Sequence, residues 1–236
     1  MALSVSTWSR KAKSECKNMS IEELSSSYFF RDPIRPIKNN NELIYSPADG
    51  IILDCKEVSS IHESLFTKYD DVTLDNLSYS QIDDSAYWIV TIFLTFYDPH
   101  IIRIPTNGNV KRLDLPAYYA QNKVMLDVEN NLLNNSVANI KQELLASISF
   151  NQRVLFNIKP PFKKENYHII LTADYDIDTV VSFFSKPEFF KQNTRIASIR
   201  YGSMATCIFP KKWNINPLQK TNIHIEAGID PLFEFL

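Results

Sequence analysis

The chain has 236 residues, 44% apolar and 12% aromatic, with 25 Lys and Arg against 27 Asp and Glu for a formal charge of −2. That length fits one large domain or two small ones around a substantial core, and the even charge balance offers no strong electrostatic case for nucleic-acid binding, so no nucleic-acid partner is expected. Cys16, Cys55 and Cys207 have no short ligand spacing, and their odd count argues against a disulfide framework and for a reducing, cytoplasmic setting.

Met1 to Asn18 is polar and lacks the apolar stretch of a signal peptide. No run approaches the roughly 20 apolar residues of a membrane span, so the chain is expected to be soluble or peripherally membrane-associated. Trp8, between Ser6 and Arg10-Lys11, reads as part of a frayed or docked terminus, or as a contact with a membrane surface. Ser20-Ile21-Glu22-Glu23 is a capping-box pattern and predicts a short helix from Ile21 to about Tyr28. Pro33 and Pro36 then enforce an extended path, and Asn39 to Asn41 mark a loop.

Short β-branched or aromatic runs predict strands at Ile51 to Val58, Tyr87 to Phe96, Val110 to Leu115, Arg153 to Ile158, Tyr167 to Ala173, Thr179 to Phe184 and Met204 to Phe209. Between them, Leu133, Val137, Ile140, Leu144 and Ile148 recur at helical spacing and predict one amphipathic helix on the surface of a β core. The expected class is α+β, a β-rich core of mostly antiparallel strands with a few peripheral helices. No repeat or linker divides the chain, so residues 1–236 are expected as one domain, with 1–27 as an N-terminal extension.

Only four glycines occur, Gly50, Gly108, Gly202 and Gly228, so each is expected at a sharp or crowded backbone position. Gly202 precedes Ser203, which opens an apolar run. By residue type, Ser203 is a candidate nucleophile, His100 its base, and Asp49 the group that orients or charges that base, although a Gly-Ser pair is commonly just a turn. The G-x-S-x-G elbow of ordinary hydrolases is absent, as are His-x-x-x-His and Cys-x-x-Cys ligand sets, so no metal is expected. His62, His168 and His224 read as solvated or structural histidines.

Taken together, Tyr28-Phe29-Phe30-Arg31 to Arg35-Pro36, Ser46-Pro47-Ala48-Asp49-Gly50, Phe93 to Pro105 with Asp98-Pro99-His100, Asn151-Gln152-Arg153-Val154, Tyr201-Gly202-Ser203 and Ala227-Gly228 follow one another in an order that resembles the phosphatidylserine decarboxylase family. The resemblance runs from about Tyr28 to the C-terminus. It implies autocatalytic cleavage of Gly202-Ser203 by an N-to-O acyl shift and elimination, giving a β chain of 1–202 and an α chain of 203–236 that opens with a pyruvoyl group derived from Ser203. It also implies that this cofactor condenses with a substrate amine and serves as electron sink for decarboxylation. His100 would handle protons and Asp49 would assist. Arg103 would bind a substrate carboxylate or phosphate, or else form an ion pair with Asp98 or another carboxylate.

The implied substrate carries an amino-acid headgroup. Phosphatidylserine, converted to phosphatidylethanolamine, stands first, with a soluble amino acid or a peptidyl or carrier-bound carboxylate as the alternative. A non-processing binding or structural module is a third reading. Related enzymes are often homodimers. The chain departs from the family pattern at Met204, where threonine is usual, at Arg103, where many members have a second histidine, and at Thr194 to Ser198, which replaces a Gly- and Glu-rich lead.

Overall fold

The computed structural model describes residues 2–65, 72–116, 152–173, 180–199 and 203–236, apart from the side chains of Ser25 and Ser203. The helix expected across Leu133 to Ile148, Thr179 at the start of one expected strand, and Gly202 lie outside the described residues.

Strand β1 (Leu3–Ser4) leads into helix α1 (Val5–Glu15), whose N-cap Ser4 accepts a hydrogen bond from the Thr7 N–H. Val5, Trp8, Ala12 and Cys16 fall three or four residues apart, and the last three of these are buried. The expected capping box is present: Ser20 and Glu23 exchange bonds with each other's backbone at the start of α2 (Ile21–Glu23). That helix loosens into a π-helical turn, Leu24–Tyr28, which carries the chain to Phe29.

Then follow β2 (Leu43–Tyr45), β3 (Gly50–Val58), α3 (Leu74–Ser78), β4 (Tyr87–Leu94), β5 (Ile101–Arg103), β6 (Gly108–Leu115), β7 (Arg153–Lys159) and β8 (Tyr167–Ala173). The rest comprises β9 (Val180–Ser182), β10 (Glu188–Phe190), β11 (Arg195–Ile199), β12 (Ser203–Pro210), a 3₁₀ turn at Lys211–Trp213, β13 (Ile215–Pro217), β14 (Ile223–Ile225) and β15 (Pro231–Phe235). Strand β4 ends earlier than expected, at Leu94, because Thr95 begins a turn closed by Asp98.

Among the described residues, nine strands form one antiparallel sheet in the order β1-β14-β3-β4-β12-β8-β7-β6-β10. Two three-stranded sheets, β5-β11-β9 and β13-β15-β2, pack into the core on one of its faces. Successive side chains of a strand point to opposite faces, and the large sheet buries both. Val90, Ile92, Leu94, Ala205, Cys207 and Phe209 pack on one face, while Ile89, Phe93, Met204 and Ile208 pack on the other with Trp8 and Ile51. Full burial of each large apolar side chain contributes about 1.5–3 kcal/mol. The fold is α+β and β-rich, as expected.

Arg153 from the Asn-Gln-Arg-Val segment is a structural arginine. It is 1% exposed and donates to the carbonyls of Asn76 and Leu77 at the end of α3 and to that of Pro116. A guanidinium there satisfies helix-end carbonyls and opposes their partial negative charge. Among the described residues no helix is long and apolar enough to cross a membrane.

Candidate active site

The site lies where the central strands of the large sheet reach one common end. Ile225 of β14 faces Gly50 of β3, Ile51 faces Phe93 of β4, and Leu94 faces Ser203 of β12. One register row therefore passes from Ile225 through Gly50 and Leu94 to Ser203. Gly50 is required here by close approach: a Cβ would sit 2.3 Å from the Phe93 carbonyl oxygen, which is fixed backbone. Asp49, which precedes Gly50, and Thr95, which follows Leu94, are consequently neighbours of this row.

A second pairing places His100. Strand β12 pairs with β4, and β11 pairs with β5, so the two strands before and after residues 200–202 are held by the two strands before and after the Thr95–His100 turn. The Ile199 N–H closes this arrangement by donating to the His100 carbonyl at 3.0 Å. Ile199 and Ser203, the described residues on either side of 200–202, are thus tied to the two sides of the same turn. Ser203 itself opens β12.

Asp98 organises that turn with three of its oxygens. Its Oδ2 accepts from the Thr95 N–H at 3.0 Å and hydroxyl at 2.8 Å. Its Oδ1 accepts from His224 Nε2 at 2.7 Å, and its carbonyl accepts from His100 Nδ1 at 2.8 Å. A carbonyl can only accept, so the His100 proton sits on Nδ1 and leaves a lone pair on Nε2. That Nε2 is buried and has no hydrogen-bond partner among the described residues. Burial, with the Arg31 charge adding, lowers the His100 pKa to about 4 against the opposing bond to Asp98, so the ring is neutral at physiological pH. Burial pushes Asp98 upward, but His224 and the Thr95 hydrogen bonds outweigh it and hold the carboxyl below its ordinary value.

The aromatic-arginine lead straps this turn from outside. Phe29 stacks on the His100 ring with centroids 3.8 Å apart, and Arg31 donates to the carbonyls of Tyr97 at 2.6 Å and Tyr28 at 2.8 Å. From the other side α1 stacks Trp8 on His224 at 4.4 Å. His224, read from sequence as merely solvated or structural, joins Asp98 inside the site. Nothing in its local sequence signals this; only the β14–β3 register carries it there.

Asp49 meets Arg35, Nη2 to Oδ1 at 2.8 Å, and no hydrogen bond joins it to His100. Burial raises its pKa to about 7; Arg35 and His224 oppose that rise, and the Asp98 charge adds to it. Asp49, Asp98, His224, Arg35 and Glu226 share a cleft of about 200 Å³ with Trp8 at its wall.

Arg103 lies elsewhere. Its guanidinium donates to Asp32 Oδ1 at 2.8 Å and to the carbonyls of Asn193 and Pro33 at 3.1 Å, so its carboxylate partner is Asp32 and not Asp98. It borders an adjoining cleft of about 240 Å³ with Arg195, Ile34 and Ile37, and the two clefts share Pro33 and Arg35. Among the described residues no three His, Cys, Asp or Glu side chains are grouped as metal donors.

Residues 25–230 match the family model described as phosphatidylserine decarboxylase. Over 191 residues the chain is 27% identical to the phosphatidylserine decarboxylase proenzyme of Ehrlichia chaffeensis, spanning 80% of this chain and 67% of that protein. The proenzyme of the same name from Carboxydothermus hydrogenoformans is 24% identical over 202 residues, 86% of this chain and 76% of that protein. A shorter stretch of 87 residues, 37% of this chain and 31% of the relative, is 36% identical to the Wolbachia pipientis proenzyme.

Proposed function

Because this chain belongs to the phosphatidylserine decarboxylase family, we propose that it is a proenzyme that cuts itself at Gly202-Ser203 and then decarboxylates phosphatidylserine to phosphatidylethanolamine. The observation that carries this reading is the bracketing of the junction by the turn that presents a buried, neutral His100 with an unshared Nε2 lone pair. An unactivated serine hydroxyl is a weak nucleophile and needs such a base.

In the proposed cleavage, His100 Nε2 takes the Ser203 hydroxyl proton as Oγ bonds to the Gly202 carbonyl carbon. The Gly202-Ser203 C–N bond then breaks, and the amine keeps the proton that His100 returns. Loss of the Ser203 α-proton to a base expels Gly202 as a carboxylate and leaves a dehydroalanine; a proton added to its β-carbon gives the imine, which water hydrolyses to the ketone with release of ammonia. Asp49, with its pKa near 7, is suited to holding or releasing a proton in these steps.

The residues present fit a pyruvoyl group at position 203: the orphaned His100 nitrogen and the near-neutral Asp49 carboxyl are groups that its formation and use require. Once formed, the ketone supplies the electron sink that decarboxylation needs. The chain's own residues do the rest. Arg35 and Glu226, 3.8 Å apart, are among the charged groups of both signs that line the cleft and would meet a zwitterionic headgroup, Trp8 forms part of its wall, and His100, neutral at rest, would relay the proton that replaces carbon dioxide.

A soluble amino acid would engage the same polar groups. The lipid is favoured by Ile34 and Ile37, which are 97% and 63% exposed beside Arg195 on the neighbouring cleft. Such apolar exposure next to cationic groups suits peripheral contact with an anionic lipid surface.

Denaturing mass spectrometry of the purified chain tests the proposal. The expected result is two fragments, 1–202 and 203–236, the second without a free amine and reactive toward a carbonyl reagent, with a single uncut chain for Ser203→Ala. An intact wild-type chain after prolonged incubation overturns the enzyme reading in favour of a binding module. Carbon dioxide released from free serine but not from phosphatidylserine vesicles overturns the lipid assignment.

A further inference from the structure

His224 is not required by the reading above, yet it occupies a built position. Its Nε2 is 2.7 Å from Asp98 Oδ1, its ring is stacked on Trp8, and it is 5% exposed. Asp98 in turn holds both the Thr95 end and the His100 end of the turn. One continuous chain of contacts therefore runs Trp8, His224, Asp98, His100. Without the His224 proton, Asp98 Oδ1 would be a buried carboxylate oxygen lacking its partner, a costly state that repacking of the turn would relieve.

Resting on the self-processing reading, we infer that His224 is a positioning residue: by donating to Asp98 it braces the Thr95–His100 turn and keeps His100 in the Nδ1–H tautomer, with the Nε2 lone pair unshared among the described residues. The contribution comes from a strand more than a hundred residues along the chain, since His224 and Asp98 are 126 positions apart. It supplies the site with a second imidazole from β14, whereas position 103, where a second histidine would otherwise stand, holds an arginine committed to Asp32.

The charged groups around His224 come from every packed element: Asp98 at the turn, Asp49 and Glu226 on the sheet end, Arg31 and Arg35 on the strap, and Lys11 and Glu15 on α1. Acidic and basic groups are both present, so the imidazole is not placed in a field of a single sign. The direct bond to Asp98 is what distinguishes its role from simple packing against Trp8.

The test uses ¹⁵N-histidine-labelled full-length chain with Ser203→Ala, where no cleavage can occur, and the same His224 variants with Ser203 intact. The spectrum of the uncut chain should show His100 as one Nδ1–H tautomer. His224→Ala should broaden or mix that signal, and His224→Gln, whose amide N–H can still donate to Asp98, should restore it. Signals of His62 and His168 report whether the fold is intact. With Ser203 present, His224→Ala should slow cleavage about 10- to 100-fold, within what a proton-transfer group contributes, and His224→Gln should recover most of it. An unchanged His100 tautomer in His224→Ala overturns the inference, as does a His224→Gln variant as impaired as His224→Ala. Failure of the wild-type chain to cut itself overturns the self-processing reading instead, and the spectra of the uncut chain still decide the role of His224.

Discussion

The Arg35 guanidinium is bonded to the buried Asp49 carboxyl, Nη2 to Oδ1 at 2.8 Å, across 14 residues of chain that include two prolines. The cation opposes a rise in pKa that burial drives to about 7. Removing it in Arg35→Gln should raise that pKa further. The pH at which self-cleavage reaches half its maximal rate should then move upward if the Asp49 anion is the active form. Cleavage followed by gel or mass spectrometry from pH 5 to 9 checks this, and an unshifted profile would show that Asp49 does not titrate in the rate-limiting step.

The same groups predict opposite stability slopes. Asp49 has a folded pKa raised above its ordinary value, so its contribution is present at low pH and is lost as pH rises toward about 7. His100 has a folded pKa lowered to about 4, so its contribution is present above its ordinary value and is lost as pH falls through about 4. The two oppose each other between about pH 4 and 6.5. Urea unfolding of the uncut Ser203→Ala chain should show Asp49→Asn gaining on the parent as pH rises from 4 to 8, by up to about 4 kcal/mol. A constant difference between the two across that range would refute the buried-carboxyl assignment.

Met204 stands where a threonine would be usual, and the fold explains why this chain keeps an apolar residue there. It is fully buried on the face that holds Trp8, Ile51, Phe93 and Ile208. Met204→Thr would leave a cavity and bury a hydroxyl, so thermal unfolding of the uncut chain should show a loss of about 2–4 kcal/mol. Equal stability would mean that this face repacks freely.

Gly50→Ala should do more than destabilise. Its Cβ meets the Phe93 carbonyl, so β3 must shift beside Asp49, at a cost of about 1–3 kcal/mol. Gly108→Ala is the control, since its Cβ would crowd Ile158 and Lys159 on β7. Both variants should unfold at lower denaturant, and Gly50→Ala alone should also slow cleavage. Equal cleavage rates in the two would detach the strand row from the site.

Contact with lipid should depend on Ile34 and Ile37. Glutamate at both positions should abolish flotation with phosphatidylserine-containing vesicles, each lost side chain weakening binding by about tenfold or more, while self-cleavage continues at the parent rate. Flotation of the double variant at the wild-type level would place the lipid contact on another surface.

Much of the framework was legible in the residues. The β-branched and aromatic runs across Tyr87 to Phe96 and Tyr167 to Ala173 marked strands, Ser20 and Glu23 marked a helix start, and the scarce Gly50 marked a crowded crossing that the Phe93 carbonyl accounts for. Helix α1 was missed although Val5, Trp8, Ala12 and Cys16 carry a helical period, because its polar composition hid so narrow a stripe. The strand Arg195–Ile199 was hidden in the same way, read only as an atypical lead to the junction.

By itself, the order of residues marked the long strands β3, β4, β6, β7, β8 and β12, and it named Ser203, His100 and Asp49 as candidate groups by residue type. Those features are local, since period and residue type act within a few positions of the chain. The tertiary structure alone decided the partners: Asp49 with Arg35, Arg103 with Asp32, Asp98 with His224, and His100 under Phe29. Each of these depends on strand register and on burial that shifts proton affinities, and both arise only when segments far apart in sequence close around a common core.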